Sequence, residues 1–98
     1  MSCIIRYFVP EDRDVEEKPN AFILYKEQDK VRLADIKENF PLPGEYVFRF
    51  KTTYEKKNIW IDFNDNDSVL PSHEGKILMK VNRISWEKQS NQYSDFEF

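Results

Sequence analysis

Residues 31–51, VRLADIKENFPLPGEYVFRFK, decide the fold, because the hydrophobic period changes inside them. Leu33, Ile36 and Phe40 fall at i, i+3 and i+7, one apolar stripe on a helix of about three turns from Val31 to Phe40. Pro41 ends that helix, since it has no N–H and its ring clashes with the preceding turn. Beyond the Pro41-Leu42-Pro43-Gly44 turn, Tyr46 to Lys51 returns to alternation, so the chain continues as a strand.

Working outward, Cys3-Ile4-Ile5-Arg6-Tyr7-Phe8-Val9 is β-branched and aromatic and stops at Pro10, which predicts a first, central strand. Residues 10–19 (PEDRDVEEKP) are acidic and bounded by prolines, as a hairpin loop would be. Ala21 to Tyr25 predicts a second strand, followed by a charged turn through Lys30. On the other side, Thr52 to Lys57 is a polar loop and Asn58 to Asp62 a fourth strand. An acidic turn (Asn64 to Asp67), Leu70-Pro71 and Gly75 then lead to a fifth strand, Lys76 to Arg83. From Trp86 onward (WEKQSNQYSDFEF) no period remains, so the expected division is a folded domain over 1–84 and a flexible tail over 85–98.

The order ββαβββ with one helix predicts an α+β roll, because that helix is the only element able to cover a face of the sheet. This is the ubiquitin-like β-grasp arrangement, a five-stranded mixed sheet covered by one main helix. Its second and fourth strands lie at the two edges, where unpaired N–H and C=O groups must be either blunted or used.

Composition narrows the function. Ninety-eight residues make one domain with one core. Eight phenylalanines, five tyrosines and two tryptophans supply much of the area to bury. A net charge of −3 argues against a nucleic-acid binder, which needs a basic surface to release counterions. Cys3 is the single cysteine and His73 the single histidine. Cys3 sits in an apolar run and reads as a small buried hydrophobe. Met1 to Arg6 lacks a basic n-region and a long apolar run, so no secretory leader is expected. No stretch approaches the roughly 20 apolar residues of a membrane helix. A cytoplasmic domain is the expectation.

Asp62, Asp65 and Asp67 invite a metal reading. A calcium loop counted from Asp62 has Asp67 where glycine is required and His73 where glutamate is required. The pattern therefore reads as a solvated acidic turn, with no metal and no cofactor. With only Gly44 and Gly75 there is no phosphate loop. A domain this small encloses no expected substrate pocket, so neither an enzyme nor a small-molecule binder is predicted. A conjugated modifier needs a terminal glycine pair, and this sequence ends Asp95-Phe96-Glu97-Phe98.

The two edges carry the more telling residues. On the fourth strand Ile59, Ile61 and Phe63 share the expected core face, and Asn58, Trp60 and Asp62 share the other. Trp60 is thus expected to point outward, where tryptophan is characteristic of interface hot spots, unless a loop or the tail covers it. On the second strand both alternating sets, Asn20/Phe22/Leu24 and Ala21/Ile23/Tyr25, contain apolar residues. The pattern leaves the core face there undecided. Lys18 and Lys26 flank that strand as a basic rim, which would complement the acidic rim of Asp62, Asp65 and Asp67 or simply guard the edge against aggregation.

Three segments together resemble one family. Val31-x-Leu33-Ala34-Asp35-Ile36-Lys37 resembles the helix opening of the DIX domains of Dishevelled, Axin and Dixin, with Pro19 at the distance where their second strand begins. Asp65-x-Asp67-x-x-Leu70-Pro71-x-x-x-Gly75-Lys76-Ile77 resembles their turn between the fourth and fifth strands. Trp60-x-Asp62 is similar to the DIX-like domain of the plant SOSEKI proteins. The likeness spans about residues 3–83 and implies head-to-tail self-association, the second strand of one subunit pairing with the fourth of the next, with itself or other DIX domains as partners. Carried over, the tail patch falls on Asn20, Ala21 and Phe22 and the head patch on Ile59 and Trp60. Asn20 stands where the animal proteins carry a contact tyrosine, with Phe22 two residues on as the aromatic substitute. Arg32 stands in place of a threonine, which predicts a helix without a side-chain N-cap. The alternative function is a hetero-partner adaptor of PB1-like type that uses Asp62, Asp65 and Asp67 as its acidic loop.

Overall fold

A computed structural model describes residues 1–85; the segment from Trp86 to Phe98, assigned above to the tail, lies outside the described residues. The strands are β1 (Cys3–Phe8), β2 (Asn20–Leu24), β3 (Glu45–Tyr54), β4 (Lys57–Ile61) and β5 (Ile77–Ser85), with one helix, α1 (Leu33–Asn39). They form a single five-stranded sheet in the order β2-β1-β5-β3-β4. β1 and β5 run parallel at its centre and the other neighbours are antiparallel, so the sheet is mixed, as the β-grasp reading requires. β2 and β4 are its two edges.

The core follows strand alternation. Cys3, Ile5 and Tyr7 of β1, Ile77, Met79 and Val81 of β5, Leu24 of β2 and Phe50 of β3 turn to one face and are buried. Leu33 and Ile36 of α1 close over them, joined by Val31 and Leu70 from the connections. Phe40, just past the helix, stacks edge-on against Tyr7, Tyr46 and Phe48 with ring centroids 5.0–5.1 Å apart.

The helix is shorter than its stripe predicts: seven residues, about two turns. Phe40 is extended (φ −62°, ψ 127°) because the following Pro41 disfavours the helical conformation in the residue before it. Phe40 completes the apolar stripe from outside the helix. A helix this short is not stable alone, and its first turn is held by its own Asp35 and from outside. The Arg32 N–H donates to Asp35 Oδ2 at 2.9 Å. The Leu33 and Ala34 N–H groups donate to the carbonyls of Ser68 and Asn66 at 3.0 and 2.9 Å. The Arg32 guanidinium reaches the Asp67 carbonyl at 2.8 Å. The acidic turn therefore does the work of the absent side-chain cap, satisfying donors that the helix itself leaves open.

The connection between β3 and β4 also differs from expectation. Pairing continues from Phe50↔Ile61 to Tyr54↔Lys57, so Thr52 to Tyr54 are strand and the turn is only Glu55-Lys56. Both turn residues have positive φ (49° and 66°), the mirror-image turn that matches strand twist. Neither is Gly, Asn or Asp, so the usual hairpin signal is missing, and each left-handed residue costs roughly 1–2 kcal/mol. Replacing Glu55-Lys56 with Asn-Gly should therefore raise stability by about 1 kcal/mol, read as a higher urea midpoint with an unchanged slope.

Candidate functional site

At the β2 edge the side chains divide cleanly. Leu24 is buried, and Phe22 is half-buried with its ring 5.9 Å from Tyr7 and 6.2 Å from Phe40. That set faces the core. Ala21 and Ile23 face the opposite side of the sheet, Ile23 being 56% exposed. Asn20 is exposed, and its side-chain amide donates to Asp14 Oδ2 at 2.8 Å. The same carboxylate oxygen accepts the Val9 N–H at 3.0 Å, so Asp14 fixes the β1–β2 loop at both ends.

The two rim lysines differ. Lys18 is exposed and, among the described residues, makes no ion pair. Lys26 bonds Asp35 Oδ2 at 2.8 Å and is committed to the start of α1. The Lys26 ammonium, aided by the Arg32 N–H, holds the Asp35 carboxyl below the usual carboxylate range.

At the β4 edge Ile61 and Phe63 turn to the core, Phe63 lying 5.9 Å from Phe50. Ile59, on the same face but nearer the hairpin, is 36% exposed and does not pack on the core cluster. Trp60 points to the other face, but it is not free-standing. Its ring is half-buried and meets Phe8 edge-on at 5.7 Å. The ammonium groups of Lys80 and Lys51 lie over it at 4.9 and 5.8 Å. Among the described residues, what covers Trp60 is the sheet's own neighbouring side chains, with Lys51 directly across in register.

Asp62, Asp65 and Asp67 are exposed. Asp65 Oδ1 accepts the Asp67 N–H at 2.9 Å, a turn that side-chain carboxylates commonly make with their own backbone. Among the described residues no group of three or more His, Cys, Asp or Glu is placed to hold a metal ion.

Sequence reasoning missed two features at these edges. Ile4, Ile23 and Tyr25 leave apolar surface beside β2, and alternation from the buried Cys3 and Ile5 was the signal for Ile4. Lys56 and Lys57 make the hairpin end of β4 basic, so its charge changes sign toward Asp62.

Among the described residues β2 and β4 form the two edges of a β-grasp sheet, and the comparison places the chain in a family. The family model for the DIX domain matches residues 3–81. The chain belongs to the DIX-domain family. No curated protein sequence matches it closely enough to add to this assignment. DIX domains are protein-interaction and polymerisation modules that join homologous domains. Among the described residues of this one, no helix is long and apolar enough to cross a membrane.

The Lys26–Asp35 contact sets a pH dependence. Because the Asp35 pKa is lower in the folded than in the unfolded chain, its contribution is fully present above the unfolded value of about 3.9. It is lost as pH falls through the lower, folded value. Asp35→Asn should flatten the loss of stability below about pH 4, measured as urea midpoints against pH, while wild type falls more steeply.

Proposed function

We propose that this DIX domain is a non-catalytic module that self-associates head to tail into reversible filaments, β2 of one subunit adding to β4 of the next. The observation that carries the reading is that both outer strands of one sheet end without a partner strand among the described residues and differ in chemistry. The tail would present Lys18, Asn20, Ala21, Phe22 and Lys26. The head would present Ile59, Trp60, Asp62, Asp65 and Asp67, its Trp60-x-Asp62 stretch nearest the SOSEKI type.

Two different complementary patches make a heterologous contact, which extends into a filament unless the rotation closes. Backbone pairing supplies generic affinity, and the flanking side chains choose the partner. Such an edge contact is small, below about 1,200 Å² in total, and therefore weak. Its use is avidity: a filament presents many copies of whatever its host protein binds, which suits the clustering of a cytoplasmic signalling or polarity scaffold. Other DIX domains would be able to join or cap the same filament. With Lys26 held by Asp35, Lys18 is the rim lysine left to complement the acidic head, and salt sensitivity rests mainly on it.

Trp60 supports Phe8 as well as the head, so a charge placed there would disturb packing and edge together. Ile59→Asp for the head and Ala21→Asp for the tail are the cleaner probes. Wild type should shift steadily to larger species over about a hundredfold range of concentration in sedimentation velocity. Each variant should remain monomeric, and an equimolar mixture should form a heterodimer and stop there. A variant that still polymerises, or a mixture that stays monomeric, would overturn the assignment of its edge.

A further inference from the structure

The face of the sheet turned away from α1 collects positive charge. Strand alternation places Arg6, Arg49, Lys51 and Lys80 there, around the rings of Phe8 and Trp60. Lys80 of β5 stands directly across from Arg49 of β3 and beside Phe8 of β1. Like charges opposed across a ladder weaken it, and this pair stands in a chain of net charge −3. Lys51 is paired with Glu16. Among the described residues no carboxylate lies within ion-pairing distance of Arg6, Arg49 or Lys80. Arg49 donates to Asn82 Oδ1 at 3.1 Å and Lys80 rests over the Trp60 ring.

The chain itself shows what chemistry this face accepts. The β1–β2 loop lays acidic side chains along one margin: Glu16 on Lys51, and Glu11 on the Asn82 amide and the Arg83 N–H, both at 3.2 Å. Beside it runs a groove of about 430 Å³ whose lining includes the basic Arg6, Lys51 and Lys76 and the acidic Glu16, Glu17 and Glu74. We propose that this face, whose Arg6, Arg49, Trp60 and Lys80 are each half-exposed, is a docking surface for an extended acidic peptide segment of a partner protein. Its carboxylates would be taken by Arg6, Arg49 and Lys80, and an apolar side chain would lie against the exposed part of Trp60. A continuous polyanion such as a nucleic acid or an anionic membrane would also meet Glu11, Glu16 and Glu17 at the margin, which a short segment running inside it avoids. The surface uses side chains on the face and not the outer backbone of β2 or β4. It shares only Trp60 with the proposed head, and on monomeric protein its binding is read apart from filament assembly.

The test is a titration of the full chain, kept dilute enough to be monomeric, followed through its backbone amide resonances. The probe is a short synthetic peptide alternating glutamate and serine around one phenylalanine. Parallel titrations use the same peptide with glutamine for glutamate, phosphatidylserine vesicles and an oligothymidylate. Saturable shifts at Arg6, Arg49, Trp60 and Lys80 with the acidic peptide are expected. They should weaken several-fold from about 50 to 300 mM salt. Arg49→Glu should weaken binding about tenfold or more, and it should fold normally because its new carboxylate faces Lys80. Equal binding of the glutamine peptide, shifts elsewhere, undiminished binding by Arg49→Glu, or saturable binding to vesicles or oligothymidylate alone would each overturn the proposal.

Discussion

Ile5 of β1 lies beside Ile77 of β5, and the parallel ladder between these two strands places everything else. It joins the start of the domain to its last strand, so both strands are flanked on two sides and cannot serve as edges. β1 takes β2 on its free side and β5 takes β3 on its own. β4, tied to β3 by a two-residue turn, can only extend the sheet outward. Ile5, Ile77, Met79 and Val81 of these strands are fully buried. A parallel pair also needs a long connection, and that connection carries α1 across the core face. That β2 and β4 are the edges among the described residues is thus a consequence of where β1 and β5 meet.

The elements whose pattern is local were legible. Cys3 to Phe8 alternates over a buried face, Leu33 and Ile36 repeat at helical spacing, and a single helix among strands leaves one architecture that buries both. The ends of elements were less legible, because distant residues settle them. The Phe40 side chain belongs to the helical stripe although its backbone does not, a conflict that only Pro41 resolves. Asp35 takes the Arg32 N–H, but the next two donors of α1 go to the carbonyls of Asn66 and Ser68, which nothing beside the helix in sequence announces. The Glu55-Lys56 turn is hidden because its residues are poor choices for positive φ; the pairing of β3 and β4 imposes the conformation.

The candidate site shows the same division. Alternation sent Trp60 to the correct face, but it could not show that Phe8, Lys51 and Lys80 close around the ring from three other positions in the chain. It left the orientation of β2 open because Phe22 and Ile23 are both apolar; packing of Phe22 on Tyr7 and Phe40 decides it. The rim lysines are alike in sequence, and only the folded chain separates Lys18 from Lys26, which Asp35 holds. A net charge of −3 likewise conceals the segregation of arginine and lysine on one face of the sheet.

In the proposed filament β2 and β4 meet each other across subunits through their outer backbone groups. Hydrogen exchange of the individual backbone amides, compared between dilute and concentrated protein, tests it most directly. Outward-facing amides of both β2 and β4 are expected to gain protection together as concentration rises, with those of β1 and β5 unchanged. Protection appearing at one edge alone, or at neither while larger species form, would contradict it.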